Sequence, residues 1–265
     1  MTAIDWAAVE AQLAPVIAPA ELAATPQDAQ WHAEGDVWTH TRMALEALVE
    51  DPAYLALDAR DRDVVFAAVL LHDVGKPRCT RIEPDGRITS RGHSAAGEVL
   101  VRAGLWRAGV PFARREHICA LVRAHQVPFF GVDLPPGDAT RRAVRLSLAT
   151  RNDWLATVAA ADARGRRTAD PRDRERIIDN CALWCELAAE AGCLDRARPF
   201  PDAHTRHVYL DDASGTRAPD VPAYDDTVAE AVLLSGLPAS GKSTWIASHP
   251  ELAVVSLDDL RDQLG

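Results

Sequence analysis

Six side chains able to hold a metal ion lie between residues 40 and 162: His40, His72, Asp73, His93, His125 and Asp162. His72 and Asp73 are adjacent at the end of an apolar run, where a charged carboxylate needs a partner such as a cation. His40, His93, His125 and Asp162 each fall on or at the end of a different helical stretch, as ligands projecting into the core of a helical bundle must. Imidazole mixed with carboxylate suits borderline divalent ions, Mn, Fe, Co, Ni or Zn, rather than Ca. A second cluster offers phosphate chemistry. The run Gly236-Leu-Pro-Ala-Ser240-Gly241-Lys242-Ser243-Thr244 fits G-x-x-x-x-G-K-[ST]. Its loop N–H groups would cradle phosphates, Lys242 would reach the β and γ phosphates, and Ser243 would hold magnesium. ATP with magnesium is therefore expected at Gly236, Ser240, Gly241, Lys242, Ser243 and Thr244.

Both lysines of the chain belong to these clusters. Lys76 and Lys242 stand against 27 arginines, and arginine is a fixed fork that cannot replace a compact, shiftable point charge. Lys76, in His72-Asp73-Val74-Gly75-Lys76, would either offset phosphate charge or protonate a leaving oxygen. The alternative is that it caps its helix C-terminus against the dipole.

The formal charge of -10 argues against non-specific polyanion binding over the whole surface. Locally the sign reverses, with five arginines against one acid in 101–125 and ten against five in 141–176. These stretches form either a basic face for a phosphorylated substrate or solvated faces paired with nearby acids. The acidic N-terminal decapeptide lacks a secretory pattern, no run approaches a membrane span, and the five cysteines form no CxxC or paired framework. The cytosol is the expected compartment. Cys181 and Cys185 share a helix face with Trp184 and Leu187 and read as core residues.

Positioning these groups requires helices. The predicted helices are Asp63 to Leu71, Thr41 to Glu50, Ser94 to Ala108, Ala113 to His125, Ala139 to Ala149, Asn152 to Arg164 and Asp173 to Ala191. Gly75 and Pro77 read as a stop after the first of these. Arg81 to Thr89, with Asp85-Gly86 at its centre, predicts a small β-hairpin. Pro199, Pro201, Pro219 and Pro222 mark 199–229 as a linker or flap. Beyond it, Ala231 to Leu234 and Ala253 to Leu257 predict strands flanking a helix from Lys242, the start of a parallel α/β unit. The fold class expected is mainly α: a helical bundle over 1–198 with a small β-hairpin insert, then a partial α/β P-loop unit over 230–265. His117 reads as supporting or surface, and His32, His204, His207 and His249 have no ligand-like context.

The order His40, His72-Asp73, His93, His125, Asp162 with the trailing Gly75-Lys76 resembles the HD superfamily of metal-dependent phosphohydrolases over residues 30 to 165. Glu34-Gly-Asp-Val-Trp-Thr-His40, Leu70-Leu-His-Asp-Val-Gly-Lys-Pro77 and Ala161-Asp-Ala-Arg-Gly-Arg166 look closest to the HD modules of CCA-adding enzymes. The resemblance implies a first metal on His40, His72, Asp73 and Asp162, and a second on His93, His125 and a bridging Asp73. Metal in such a site acidifies a water and screens phosphate charge. Ser256-Leu-Asp258-Asp-Leu-Arg261, after the second predicted strand, resembles phage-type polynucleotide kinases. That likeness implies Asp258 as general base and Arg261 as a substrate contact; the alternative for Asp258 is a helix cap. Only 35 residues run from Ala231 to Gly265, so the later strands, second acidic motif and arginine lid of such kinases are missing and kinase chemistry is expected to be incomplete here.

The two modules together resemble bacterial bifunctional RNA end-healing proteins. That implies removal of 2',3'-cyclic or 3'/2'-phosphate from RNA ends by the first, with Asp73 and Lys76 at the chemistry. Two other readings stand beside it: an HD nucleotidase or phosphodiesterase on free nucleotides with an ATP-sensing P-loop, and a non-catalytic RNA-binding module.

Overall fold

The structure, a computed structural model, describes residues 4–212 and 215–264. They fall into two compact units, Met1–Ala223 and Tyr224–Gly265. Within the first unit the chain runs through α1 (Trp6–Leu13), α2 (Pro19–Ala23), α3 (Val37–Val49), α4 (Pro52–Leu55), α5 (Ala59–Leu71) and α6 (Lys76–Cys79). A two-stranded hairpin, β1 (Arg81–Ile82) and β2 (Ile88–Thr89), comes next. It is followed by α7 (His93–Arg107), α8 (Phe112–Ala124), α9 (Val127–Phe130), α10 (Pro136–Ser147), α11 (Asn152–Arg164), α12 (Pro171–Glu190) and α13 (Ala203–Asp211).

Helix α11 is the axis of the bundle. Eleven of its residues are buried, and its run Ala159-Ala-Ala161 presents little side-chain bulk, so α3, α5 and α12 close on it from several sides. Asn152 anchors its start: Nδ2 donates to Ala143 O and Cys193 O at 3.1 and 2.8 Å, and Oδ1 accepts from Trp184 Nε1 at 3.1 Å. The start of α3 is set by Asp36, whose carboxylate accepts from Thr39 N at 2.9 Å and Thr39 Oγ1 at 2.7 Å. Asp58 does the same for α5 through Arg60 N and Asp61 N. The main core gathers Leu13, Val37, Leu45, Leu48, Val65, Val69, Leu121 and Leu155 between α1, α3, α5, α8 and α11.

The helices and hairpin appear where the sequence places them, with ends shifted by a few residues and α11 matching at both ends. The hairpin pairs Arg81 with Thr89 and Ile82 with Ile88 across the Asp85-Gly86 turn, where Gly86 has φ 84°. Three expectations require correction. Gly75 is not a left-handed helix stop: its φ of -80° and ψ of -17° suit any residue. Glycine is required there because α7 crosses so closely that a Cβ would lie 2.0 Å from His93 O. The stretch read as linker contains α13, capped by Asp202 on Thr205 N at 2.6 Å, with Tyr209 buried beside Phe200 and Trp184. The proline density around it masked an ordinary capped helix.

In the second unit, 231–234 and 253–256 form no strands; α14 (Lys242–Ala247) and α15 (Leu257–Leu264) are its regular elements among the described residues. Strand propensity reports how well a side chain fits a pleated, half-buried surface, and none forms here. Leu233 is 92% exposed and Val255 80% exposed. The predicted helix at Lys242 is present, entered through Gly241 at φ 89°.

Candidate metal centre

Five helix ends meet at one buried point. His40 comes from the first turn of α3, His72 from the residue closing α5, and His93 from the start of α7. His125 closes α8 and Asp162 lies in the last turn of α11. Asp73 follows His72 directly, and all six are buried.

Three of the histidines are aimed by the same local device. Nδ1 of His72 donates to Val69 O at 2.7 Å, that of His93 to Ser90 O at 2.8 Å, and that of His125 to Val122 O at 2.8 Å. A carbonyl oxygen only accepts, so each Nδ1 carries the proton and each Nε2 turns a lone pair inward. His40 is fixed from outside the site by Glu34, with Nδ1 3.0 Å from Oε1, and by Gly165 O at 3.3 Å. A Cβ on Gly165 would stand 2.6 Å from Ala44 N, so only glycine brings that carbonyl against α3.

Acceptors therefore face acceptors. His40 Nε2 lies 3.2 Å from His72 Nε2 and 3.0 Å from Asp162 Oδ1, and His72 Nε2 lies 3.2 Å from Asp73 Oδ2. On the other side, His93 Nε2 lies 3.4 Å from His125 Nε2 and 3.3 Å from Asp73 Oδ1. Both oxygens of Asp73 are buried without a hydrogen bond of acceptable geometry. Converging lone pairs around a buried carboxylate whose one ammonium partner is Lys76 suit a cation. The six donors separate into two groups, His40 with His72 and Asp162, and Asp73 with His93 and His125, and a third group joins His40 to His32 and Glu34; in each the ligand atoms lie within 4.8 Å of one another. Asp73 Oδ2 also approaches the first group, at 3.2 Å from His72 and 3.8 Å from His40 Nε2.

The electrostatics favour positive charge at the same point. Burial works against ionised Asp73, but His72 and Lys76 outweigh it and hold the carboxyl well below its ordinary range. Asp162 is likewise held low against burial by Arg166 and His40. Burial also opposes protonation of His40, yet Asp162 and Glu34 raise it, so this position attracts positive charge, proton or ion. Burial, reinforced by His72 and His93, pushes His125 down to about 3 and keeps it a neutral donor of its lone pair.

Lys76 opens α6 and is 5% exposed. Its Nζ lies 2.7 Å from Asp73 Oδ2 and donates to Gln27 Oε1 at 2.5 Å. Beside it opens a cleft of about 510 Å³ whose wall includes Trp31, His32, Arg91, His93, Arg123 and Arg166. Four residues of the site have no role assigned from the sequence: Gln27, His32, Glu34 and Arg166. Arg166 holds Asp162 through two bonds, 2.9 Å from Nε to Oδ1 and 2.8 Å from Nη2 to Oδ2. His32 donates from Nδ1 to Glu34 Oε1 at 2.7 Å. A signal existed in Trp31-His32-Ala-Glu34, charged groups flanked by apolar ones just ahead of the Asp36 cap. His117 lies away from this centre, edge-on to Trp154 at 5.4 Å. Cys181 is buried as expected of a core residue.

In the second unit Lys242 folds back on its own loop, Nζ donating to Gly236 O at 2.6 Å and Leu237 O at 2.8 Å. Ser240 Oγ sits where a Cβ on Gly236 would come within 2.5 Å. Ser243 and Thr244 are exposed in the first turn of α14. Asp258 and Arg261 pair with each other across one turn of α15 at 3.2 Å. The side chain at the start of α15 that accepts a backbone N–H is that of Ser256, from Asp259 N, rather than that of Asp258.

Among the described residues no helix is long and apolar enough to cross a membrane. The chain is 43% identical over 84 residues to the A-adding tRNA nucleotidyltransferase of Deinococcus radiodurans, covering 31% of this chain and 18% of that protein. It is 34% identical over 119 residues to the CC-adding tRNA nucleotidyltransferase of Thermus thermophilus, 44% of this chain and 24% of that protein. It is also 34% identical over 145 residues to the multifunctional CCA protein of Halorhodospira halophila, 53% of this chain and 32% of that protein. The chain thus spans a third or less of these relatives. Residues 37–179 match the HD domain, and the chain belongs to the HD domain family, a superfamily of metal-dependent phosphohydrolases.

Proposed function

We propose that the first unit is a metal-dependent phosphohydrolase that removes 2',3'-cyclic or 3'/2'-phosphate from RNA ends. The observation that carries this reading is Asp73, a buried carboxylate set between two histidine groups and paired with Lys76, which itself lines a cleft with Arg91 and Arg123. His40, His72, Asp73 and Asp162 would hold one divalent ion, with His93, His125 and Asp73 able to hold a second; Mn, Fe, Co, Ni and Zn suit the set. Such an ion supplies an activated water and neutralises phosphate charge. The remaining work falls to the chain. Lys76, paired with Asp73, lines the cleft, and Arg91 and Arg123 along its wall match an anionic substrate. The tRNA-acting relatives, by their names, support an RNA substrate. The test is phosphate release from an RNA ending in 2',3'-cyclic phosphate, with Mn or Ni added. Release is expected, and its persistence in His72→Ala would refute the reading.

A cleft of about 510 Å³ also suits a single nucleotide, which favours a second reading, hydrolysis of free nucleotides. A panel of mononucleotides run against the RNA end separates the two.

For the second unit we propose ATP and magnesium binding at Gly236, Ser240, Gly241, Lys242, Ser243 and Thr244, in the manner of a 5'-OH polynucleotide kinase, with Asp258 as base and Arg261 as substrate contact. The left-handed Gly241 and the inward fold of Lys242 support a phosphate-sized loop. Equilibrium dialysis with ATP and magnesium tests it, and binding undiminished in Lys242→Ala refutes it.

A further inference from the structure

Glu34 orders two imidazoles at once. Its Oε1 lies 2.7 Å from His32 Nδ1 and 3.0 Å from His40 Nδ1, while Oε2 accepts from Arg167 N at 2.9 Å. A carboxylate supplies no proton, so both Nδ1 atoms are donors, and the Nε2 of a neutral ring is then an acceptor. His40 turns its Nε2 to the metal centre. His32 does not: its ring packs edge-on to His40 at 4.6 Å, and among the described residues no hydrogen bond reaches its Nε2. His32 is 7% exposed, lines the cleft and is held by Glu34, so the acceptor is fixed in place.

The rest of that wall gives the acceptor its meaning. Lys76, Arg91, Arg123 and Arg166 are donors only; Asp73 engages Lys76 and Asp162 engages Arg166, which leaves Arg91 and Arg123 suited to phosphate oxygens. Gln27 Oε1 is engaged by Lys76, and the two Asp28 oxygens by Gln30 N and Ile88 N. An immobile acceptor among phosphate-binding donors reads an O–H beside the phosphate. We propose that His32 is a specificity-determining residue that accepts a hydrogen bond from the ribose hydroxyl next to a bound 3'- or 2'-monophosphate, so that the cleft selects such ribonucleotides over deoxyribonucleotides.

The proposal rests on the phosphohydrolase reading for the place of the phosphate, but its test needs no turnover. Equilibrium binding of adenosine 3'-monophosphate and 2'-deoxyadenosine 3'-monophosphate to the full chain with manganese, in the cold, is compared for wild type, His32→Phe and His32→Gln. Wild type is expected to prefer the ribonucleotide by about tenfold or more, the effect of leaving a buried acceptor unmade. His32→Phe should bring the two within about twofold by weakening only the ribonucleotide, and His32→Gln, which keeps an acceptor, should retain part of the preference. Manganese content should stay unchanged in both variants. Equal wild-type affinities overturn the proposal, as does a His32→Phe variant that weakens both nucleotides alike or sheds its metal. Preference without phosphate release sustains it and refutes the hydrolytic reading, whereas hydrolysis of both nucleotides at equal affinity does the reverse.

Discussion

Gly75→Ala places a single methyl group where the two halves of the metal centre meet. The Cβ would stand 2.0 Å from His93 O, 2.6 Å from Gly97 N and 2.9 Å from His93 C, all backbone atoms of α7. No rotamer relieves such a contact. The dihedrals at Gly75 are ordinary for alanine, so the whole penalty is steric. Bringing the nearest contact to about 3 Å forces the first turn of α7 back by about 1 Å, and overpacking of this kind costs ~1–3 kcal/mol. His93 moves with it. Its Nε2, now 3.3 Å from Asp73 Oδ1, would retreat to about 4 Å, enough to spoil the group of Asp73, His93 and His125, and misplacements near 1 Å cost about a hundredfold in rate. The group of His40, His72 and Asp162 does not depend on α7. Urea denaturation with manganese dialysis should show stability lowered by ~1–3 kcal/mol and metal content reduced but not abolished. A variant with wild-type denaturation midpoint and wild-type metal content would refute the reasoning, because it would mean that α7 can yield without disturbing the ligands.

Further predictions follow from individual contacts. Glu34→Ala removes the acceptor from two imidazoles and should weaken metal binding by about 10–100-fold, read by competition with a chelator; unchanged affinity would show that Glu34 does not orient His40. Asn152→Leu breaks the bonds that join α10, α11 and α12 and leaves the Trp184 indole N–H and two carbonyls unmade. A loss of ~2–4 kcal/mol in urea denaturation is expected, and a loss under about 1 kcal/mol would contradict it. Burial pushes the thiols of Cys119, Cys185 and Cys193 up to about 11 and that of Cys181 up to about 12, so each thiolate is scarce at pH 8. Iodoacetamide should label half-buried Cys79 first, with the other four becoming reactive only on unfolding or at strongly alkaline pH; rapid labelling of Cys181 in the native protein would be the contrary result.

Helices and ligands are legible in this sequence for the same reason. A buried helix imposes periodicity on its apolar residues, and α11 is readable to its last residue because almost every position in it is buried. His72-Asp73 is conspicuous because an acid at the end of an apolar run demands an explanation. The supporting residues obey no period. Glu34, His32 and Gln27 sit in the irregular segment between α2 and α3, and their partners lie on distant parts of the chain: Gln27 meets Lys76, and Glu34 meets the backbone of Arg167. At Gly75 the ambiguity is chemical, since a close approach and a left-handed turn call for the same residue. The strands expected at 231–234 and 253–257 show the limit of local propensity, because a strand exists only with a neighbour to bond.

The first ligand group closes a very large loop. His40 and Asp162 stand 122 residues apart in sequence and 3.0 Å apart in space. No short fragment contains the pair, so the centre cannot assemble early in folding, when local helices form and loop closure is still unfavourable. An ion held there would be indifferent to the unfolded chain and tight for the native one, which makes it a clasp on the completed topology. Its signature would be kinetic: manganese should leave the refolding rate nearly unchanged and slow unfolding in proportion to its binding. The centre that would perform the chemistry would then also determine how long the folded chain survives.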